Sequence, residues 1–185
     1  IEAETEKQGV IEVQKTGLEM DCKYSKIQGE ENREKYLKAL SKCMEVAKKP
    51  ILVHINAFSD LPSKEELDKF DIDNLISREK LKELQREDKT GKAAGRFKSG
   101  EMDVLFTTKC SRGVDFPGEE CNSIVFTKYP NPNVQDAFWK ILNRTQPQHY
   151  WDFYRDKARR ELWQRIYRGL RFKEDHVYVL SPDTR

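Results

Sequence analysis

The sequence predicts an α/β domain: a parallel sheet sandwiched between helices. The first sign is an alternation of strand-like and helix-like segments along the chain, the rhythm of strand-crossover-strand units. A second is a set of short apolar runs such as Ile51 to Val53 and Val104 to Phe106, the kind buried on both faces in a parallel sheet. The third is length, since 185 residues suit one α/β core.

Each element follows from local pattern. Gly9 to Tyr24 alternates loosely through Val10, Ile11, Val13, Leu18 and Met20 and predicts one or two strands before the break at Gln28-Gly29-Glu30. From Glu31 to Lys49 the spacing of Tyr36, Leu37, Leu40, Met44, Val46 and Ala47 predicts an amphipathic helix, stopped by Pro50. Ile51 to Ile55 is the next strand, with Asn56-Ala57-Phe58-Ser59 as the loop at its carboxyl end. Ser63 followed by Glu66 is a capping-box pattern and opens a helix to Phe70. Leu75-Ile76-Ser77 predicts a short strand, Glu79 to about Phe97 a helix weakened at Gly91 and Gly95, and Asp103 to Thr107 a strand. Another strand spans Ser123 to Thr127, and after the break at Tyr129-Pro130-Asn131-Pro132 a helix runs from Val134 to Asn143. A long helix covers Tyr150 to Leu170, and Val177 to Leu180 closes as a strand.

Composition narrows the function. Charged residues make up 36% of the chain, but the net charge is only +2, so any affinity for a polyanion must come from a local patch. One lies between Arg144 and Arg171, where eight Lys or Arg face Asp152, Asp156 and Glu161. Cys22, Cys43, Cys110 and Cys121 include no C-x-x-C pair, so zinc and iron–sulfur ligation are not expected and reduced, intracellular thiols are. No metal site is predicted, and without a signal peptide or an eighteen-residue apolar run neither secretion nor membrane insertion is indicated. A start at Ile1 and an end just after a strand-like segment read as a piece of a longer protein.

In open parallel sheets, binding groups gather at the carboxyl ends of strands, which puts Asn56 to Ser59, Thr107 to Asp115 and Thr127 to Asn131 along one edge. The Thr107 to Asp115 loop carries hydroxyls, the cations Lys109 and Arg112, Gly113 and the carboxylate of Asp115, a mixture suited to phosphate, sugar and nucleotide contacts. On the long helix Gln164, Arg168 and Arg171 stand at i, i+4 and i+7, and so share one face. Two guanidinium groups so aligned suit the spread negative charge of a phosphoryl-transfer transition state. The plain alternatives are a polar turn and a surface ladder of ion pairs. Phe138, Trp139, Tyr150, Trp151, Phe153, Tyr154 and Trp163 are expected to pack inward, and His54 to be a satisfied core residue.

Gln164-Arg165-Ile166-Tyr167-Arg168-Gly169-Leu170-Arg171 resembles the Gln-x-x-Gly-Arg-x-x-Arg element of superfamily-two helicases. Ser111-Arg112-Gly113-Val114-Asp115-Phe116-Pro117-Gly118, about fifty residues earlier, resembles the Ser-x-Gly-x-Asp-Phe-x-Gly element of their XPD/DinG branch. Phe97-Lys98-Ser99-Gly100 and Val104 to Thr107 extend the match upstream, and Tyr129 to Pro132 with Phe153 to Arg159 are similar to that branch's Pro-rich loop and Tyr- and Ala-bearing helix. Leu180 to Arg185 resembles its closing Leu-x-x-Asp-x-Arg, and Pro50 to Leu61, with Ala57 for the usual Ser, its fourth motif. At position 167 the family's Gly is a Tyr.

The resemblance implies a RecA-like second motor lobe, with residues 1–28 as an entry segment and 29–185 as the lobe. It implies Arg168 and Arg171 as arginine fingers with Gln164 orienting them, Gly113 and Asp115 at the nucleotide, and Thr107, Lys109, Ser111, Arg112, Asn56 and Phe58 along single-stranded DNA. Thr90-Gly91-Lys92 lacks the G-x-x-x-x-G-K-[ST] frame of a phosphate loop, and no Walker-B-like element follows an apolar strand. ATP and Mg2+ are therefore expected mainly on an N-terminal lobe of the same polypeptide, and this chain alone is not expected to hydrolyse ATP. The competing expectation is a non-catalytic helicase-derived module that binds nucleic acid or docks protein, for which Tyr167 speaks.

Overall fold

A computed structural model describes residues 9–108 and 114–185. Five strands, β1 (Val10–Val13), β2 (Ile51–His54), β3 (Val104–Thr107), β4 (Ser123–Phe126) and β5 (His176–Leu180), form one sheet in the order β1-β5-β4-β2-β3. All pairings are parallel. Parallel neighbours need crossovers, and among the described residues six α-helices contribute: α1 (Glu30–Val46), α2 (Lys64–Phe70), α3 (Arg78–Glu87), α4 (Lys92–Lys98), α5 (Ala137–Thr145) and α6 (Tyr150–Ile166).

Successive strand side chains point to opposite faces, and the core divides accordingly. Ile51, Val53 and Val125 pack with Tyr36, Leu37 and Leu40 of α1. Leu52, Leu105, Ile124 and Phe126 pack on the other face with Phe97 of α4, Phe116, and Ile166 at the end of α6. Every residue of β2 and β4 is buried, which explains their unbroken hydrophobicity. His54 and Ser123 are the polar exceptions: Ser123 Oγ accepts from Lys48 N at 2.8 Å, and His54 is stacked on Phe126 with ring centroids 5.2 Å apart. Burial, then the Arg165 charge, depress its pKa to about 3, against an opposing hydrogen bond with the Arg165 backbone.

The capping box stands as expected: Ser63 N donates to Glu66 Oε2 at 2.7 Å and Glu66 N to Ser63 Oγ at 3.1 Å. The expected Leu75-Ile76-Ser77 strand is absent. Leu75 plugs the core from coil, and Ser77 Oγ instead accepts from Lys80 N at 3.1 Å to cap α3. The single helix expected from Glu79 to Phe97 is two helices, because Gly91 takes a positive φ of 74° and Asp88 caps α4 through Lys92 N at 2.7 Å and Ala93 N at 3.0 Å. Of the region up to Tyr24, one strand forms. β1 joins the sheet beside β5, so residues before Gly29 supply an edge strand.

The connection from β3 to β4 must pass β2. Its described part holds no α-helix of its own, and Phe116 and Cys121 lie against the α6 face. Nearby, the last turns of α6 approach the sheet through Gly169. A Cβ there would sit 3.3 Å from Val177 Cγ2 and 3.4 Å from Ile124 Cδ1.

Two outcomes follow. His54 folds neutral and unfolds to an imidazole that protonates near its ordinary value, so stability falls as pH drops below about 6.5 and the loss stops near 3, with a limiting slope of about 1.4 kcal/mol per pH unit. Urea midpoints measured across that window should show this component in the parent and not in His54→Phe. Gly169→Ala should cost about 1–3 kcal/mol by overpacking in thermal unfolding, whereas Tyr167→Ala, at an exposed position, should cost about 0.5 kcal/mol.

Candidate functional site

Two groups of side chains stand where the sequence leads one to look, and they are separate. The first gathers on the α6 face. Arg168 Nη1 donates to Asp115 Oδ1 at 3.2 Å and to the Val114 carbonyl at 3.2 Å, while Arg171 Nη2 donates to Asp115 Oδ2. Phe116 N donates to the Arg168 carbonyl at 2.7 Å, tying the two chain segments together at the backbone.

The route to this convergence differs from the expected helical face. α6 stops at Ile166, Arg168 sits in a 3-10 turn (Tyr167–Gly169), and Arg171 lies beyond it. Asp115, not helical periodicity, aligns the two guanidiniums. Gln164 stays on α6, exposed, and among the described residues no hydrogen bond ties it to either arginine. Asp115 was also expected at the carboxyl edge of the sheet. It stands instead on the face, because Phe116 next to it is buried against Phe97 with centroids 5.1 Å apart.

Burial raises the Asp115 pKa, but hydrogen bonds and charge from Arg171, then Arg168, outweigh it, so the carboxyl titrates below its usual range. One carboxylate against two guanidiniums leaves the cluster cationic. Arg168 is largely covered, whereas half of the Arg171 side chain, 51%, is open to solvent. Asp175, not singled out by the sequence reading, fixes that backbone: its Oδ2 accepts from Arg171 N at 2.6 Å and Phe172 N at 2.8 Å. Its signal was an aspartate in the turn before a strand.

Tyr167 does not disturb this packing. It is 45% exposed and stacks on Trp163 with centroids 5.7 Å apart, while Gly169 makes the close approach to the sheet.

The second group lies at the carboxyl ends of β2, β3 and β4. His54 pairs in register with Thr107, and Ile55 N donates to the Thr107 carbonyl at 2.9 Å, which brings Asn56 and Thr107 onto neighbouring strand ends. Asn56 N donates to Thr127 Oγ1 at 3.2 Å and Asn56 Nδ2 to the Tyr129 carbonyl at 3.3 Å. Phe58 turns partly inward against the core, with Lys82 Nζ 5.2 Å from its ring centroid. Lys109, Ser111, Arg112 and Gly113 fall outside the described residues. A cavity of about 270 Å³ opens beside Thr107, walled by Gln85, Thr108, Val114 and Phe116, between the two groups.

A buried carboxylate that sequence reasoning passed over organises this edge. Asp60 accepts from Ala57 N at 3.0 Å and Thr127 Oγ1 at 3.1 Å and pairs with Lys128 Nζ at 2.5 Å. Tyr36 Oη donates to the Thr127 carbonyl at 3.1 Å. Asp183 does the same for the next loop, accepting from Tyr129 N at 2.9 Å and pairing with Arg185 at 2.6 Å.

Against known proteins, the family model described as helicase C-terminal domain matches residues 40–185. A solved structure named XPD helicase superposes with a TM-score of 0.59 at 20% identity, over 95% of this chain and 32% of that one. The fold is thus that of an XPD helicase lobe, and the chain spans about a third of the length of the structure it matches. No curated protein matches. No helix among the described residues is long and apolar enough to cross a membrane. A match over most of its length establishes that the chain belongs to the helicase C-terminal domain family, as its XPD/DinG-type motifs lead one to expect.

Proposed function

We propose that this chain is a single C-terminal lobe, residues 1–185, of an ATP-dependent DNA helicase, acting on single-stranded DNA together with an N-terminal lobe of the same polypeptide. The observation that carries the reading is the convergence of Arg168 and Arg171 on Asp115 in a cationic cluster whose outer guanidinium is half exposed. Such a pair meets a polyphosphate without any protein group having to form or break a bond, which is what loose phosphoryl-transfer transition states require.

The residues here fit a nucleotide's phosphates from one side only. The N–H groups of Lys92 and Ala93 at the start of α4, the nearest thing to a phosphate-loop helix, are taken by the Asp88 carboxylate. ATP with Mg2+ would supply the transferable phosphoryl group from the other lobe. Arg168, held by Asp115 and the Val114 carbonyl, is the inner finger, and Arg171 the outer one. Asp115 and Gly113 are assigned to nucleotide contact; Asp115, which holds both guanidiniums, takes the orienting role that Gln164, exposed on α6, does not fill. Thr107, Asn56 and Phe58 hold the strand along the carboxyl edge, and Lys109, Ser111 and Arg112 are assigned to the same strand from their sequence motif alone. Lobe closure then couples the two surfaces. The reason for preferring a non-catalytic module was bulk at position 167, and that bulk lies outside the core.

DNA-stimulated ATP hydrolysis by the full-length parent tests this. Arg168→Ala and Arg171→Ala should each lower kcat by about 10³–10⁵-fold, with single-strand affinity retained. Undiminished turnover in either variant sinks the finger assignment, and a parent that binds DNA without turnover makes the lobe a clamp. Asp115→Asn should lower kcat while leaving DNA affinity in place, since it loosens Arg171 without touching the carboxyl edge.

A further inference from the structure

The α5–α6 hairpin carries more exposed aromatic surface than a helical pair needs for packing: of the rings expected to face inward, Trp139 and Tyr150 do, whereas Phe138, Trp151, Phe153 and Trp163 do not. Only Tyr150, Ala158 and Ile166 of the seventeen residues of α6 are buried, and only Trp139 of α5. Phe138 is 61% exposed, Trp151 60% and Phe153 53%. The rings nevertheless form a connected array. Phe138 meets Trp139 edge-on at 5.0 Å, Trp139 meets Tyr150 at 5.8 Å and Tyr154 at 5.3 Å, and Trp151 meets Tyr154 at 5.6 Å. The buried rings thus fix Phe138 and Trp151 and leave most of both to solvent.

Charge says what such an array suits. Residues 137–160 hold six Lys or Arg against two Asp, an excess of four in a chain whose whole net charge is +2. Asp152 and Asp156 are taken by Arg155 and Arg160, so Lys140, Arg144, Lys157 and Arg159 constitute the excess. The hairpin also adjoins the carboxyl edge of the sheet, since Tyr154 Oη donates to the Pro132 carbonyl at 3.2 Å in the loop that leaves β4.

We infer that the α5–α6 hairpin is a base-stacking platform for single-stranded nucleic acid, with Trp151 and Phe138 as the stacking rings and Lys140 and Arg144 as backbone contacts. The inference extends the carboxyl-edge path proposed above and rests on it for position, though its chemistry is independent of ATP. Open ring surface interleaved with cations is the pattern by which unpaired strands are held, because every base has a π-face and every nucleotide a charge. An acidic peptide shares the charge argument but gains nothing from ring surface presented to planar partners.

The test titrates the 185-residue chain with labelled oligothymidylate and with an abasic deoxyribose-phosphate oligomer of equal length, read by anisotropy. Trp151→Ala and Phe138→Ala should each weaken oligothymidylate binding roughly 5- to 100-fold while leaving the abasic oligomer unchanged. Trp151→Phe should restore most of the loss. Lys140→Gln with Arg144→Gln should weaken both oligomers alike and flatten the salt dependence. Equal binding of both oligomers by the parent, or alanine variants that bind oligothymidylate as the parent does, overturns the platform and leaves the rings to a protein partner. The changed side chains are exposed, so melting temperatures should match the parent's, and a loss of fold in the alanine variants leaves Trp151→Phe and the charge pair to decide. Failure of the ATP hydrolysis assay would leave these results untouched, so the two readings fail separately.

Discussion

A sheet whose strands all run parallel, with its central strands β2 and β4 buried on both faces, is the constraint from which the other features of this lobe descend. Each strand must be followed by a crossover, and each crossover must cover apolar surface. The connection from β3 to β4 covers it with Phe116 and Cys121, and this lays Asp115 against the end of α6 rather than at a strand tip. The sheet topology therefore creates the meeting of Asp115 with Arg168 and Arg171, which are more than fifty residues away in sequence. The same parallel order delivers the ends of β2, β3 and β4 to one edge, where Asn56 and Thr107 become neighbours.

The energetics separate holding the fold from holding the site. Ion pairs as exposed as Arg171 with Asp115 contribute between about 0 and 1 kcal/mol, so this pair adds little stability. Its effect is positional: a charge that would otherwise sample several rotamers is kept beside Arg168. At the carboxyl edge the balance differs. Asp60 is almost wholly buried, and its three partners compensate for the loss of water, so removing one would leave an uncompensated charge in the interior. The loop holding Asn56 is accordingly braced from below and the loop bearing the arginines from the side.

What was legible in the chain was whatever local chemistry settles. The apolar runs placed β2, β3 and β4 to within a residue, because central strands bury both faces and leave few polar positions, at their ends, to blur the pattern. Ser63 and Glu66 marked the start of α2 because a capping box acts over one turn. Leu75 misled because an apolar residue that plugs a core from coil has the hydropathy of a strand. The aromatics of α5 and α6 misled for a related reason: helical spacing says which rings share a face, and it cannot say whether another layer covers that face. Asp60 escaped notice because Thr127, its side-chain partner, lies 67 residues away, and Asp175 because a turn aspartate marks only its nearby amides and not the arginine they position.

Position 167 shows how a motif transfers between proteins. Glycine in a helix near a sheet has one physical use, to let backbone approach side chains that a Cβ would strike. Here that need is met at Gly169, within 3.4 Å of where Ile124 and Val177 would touch an added methyl, and the side chain at 167 points to solvent and stacks on Trp163. Bulk at position 167 therefore leaves the close approach at Gly169 intact. Arg168 follows Tyr167 directly, so its carbonyl still receives Phe116 N and its guanidinium still reaches Asp115, whatever the bulk of the residue before it.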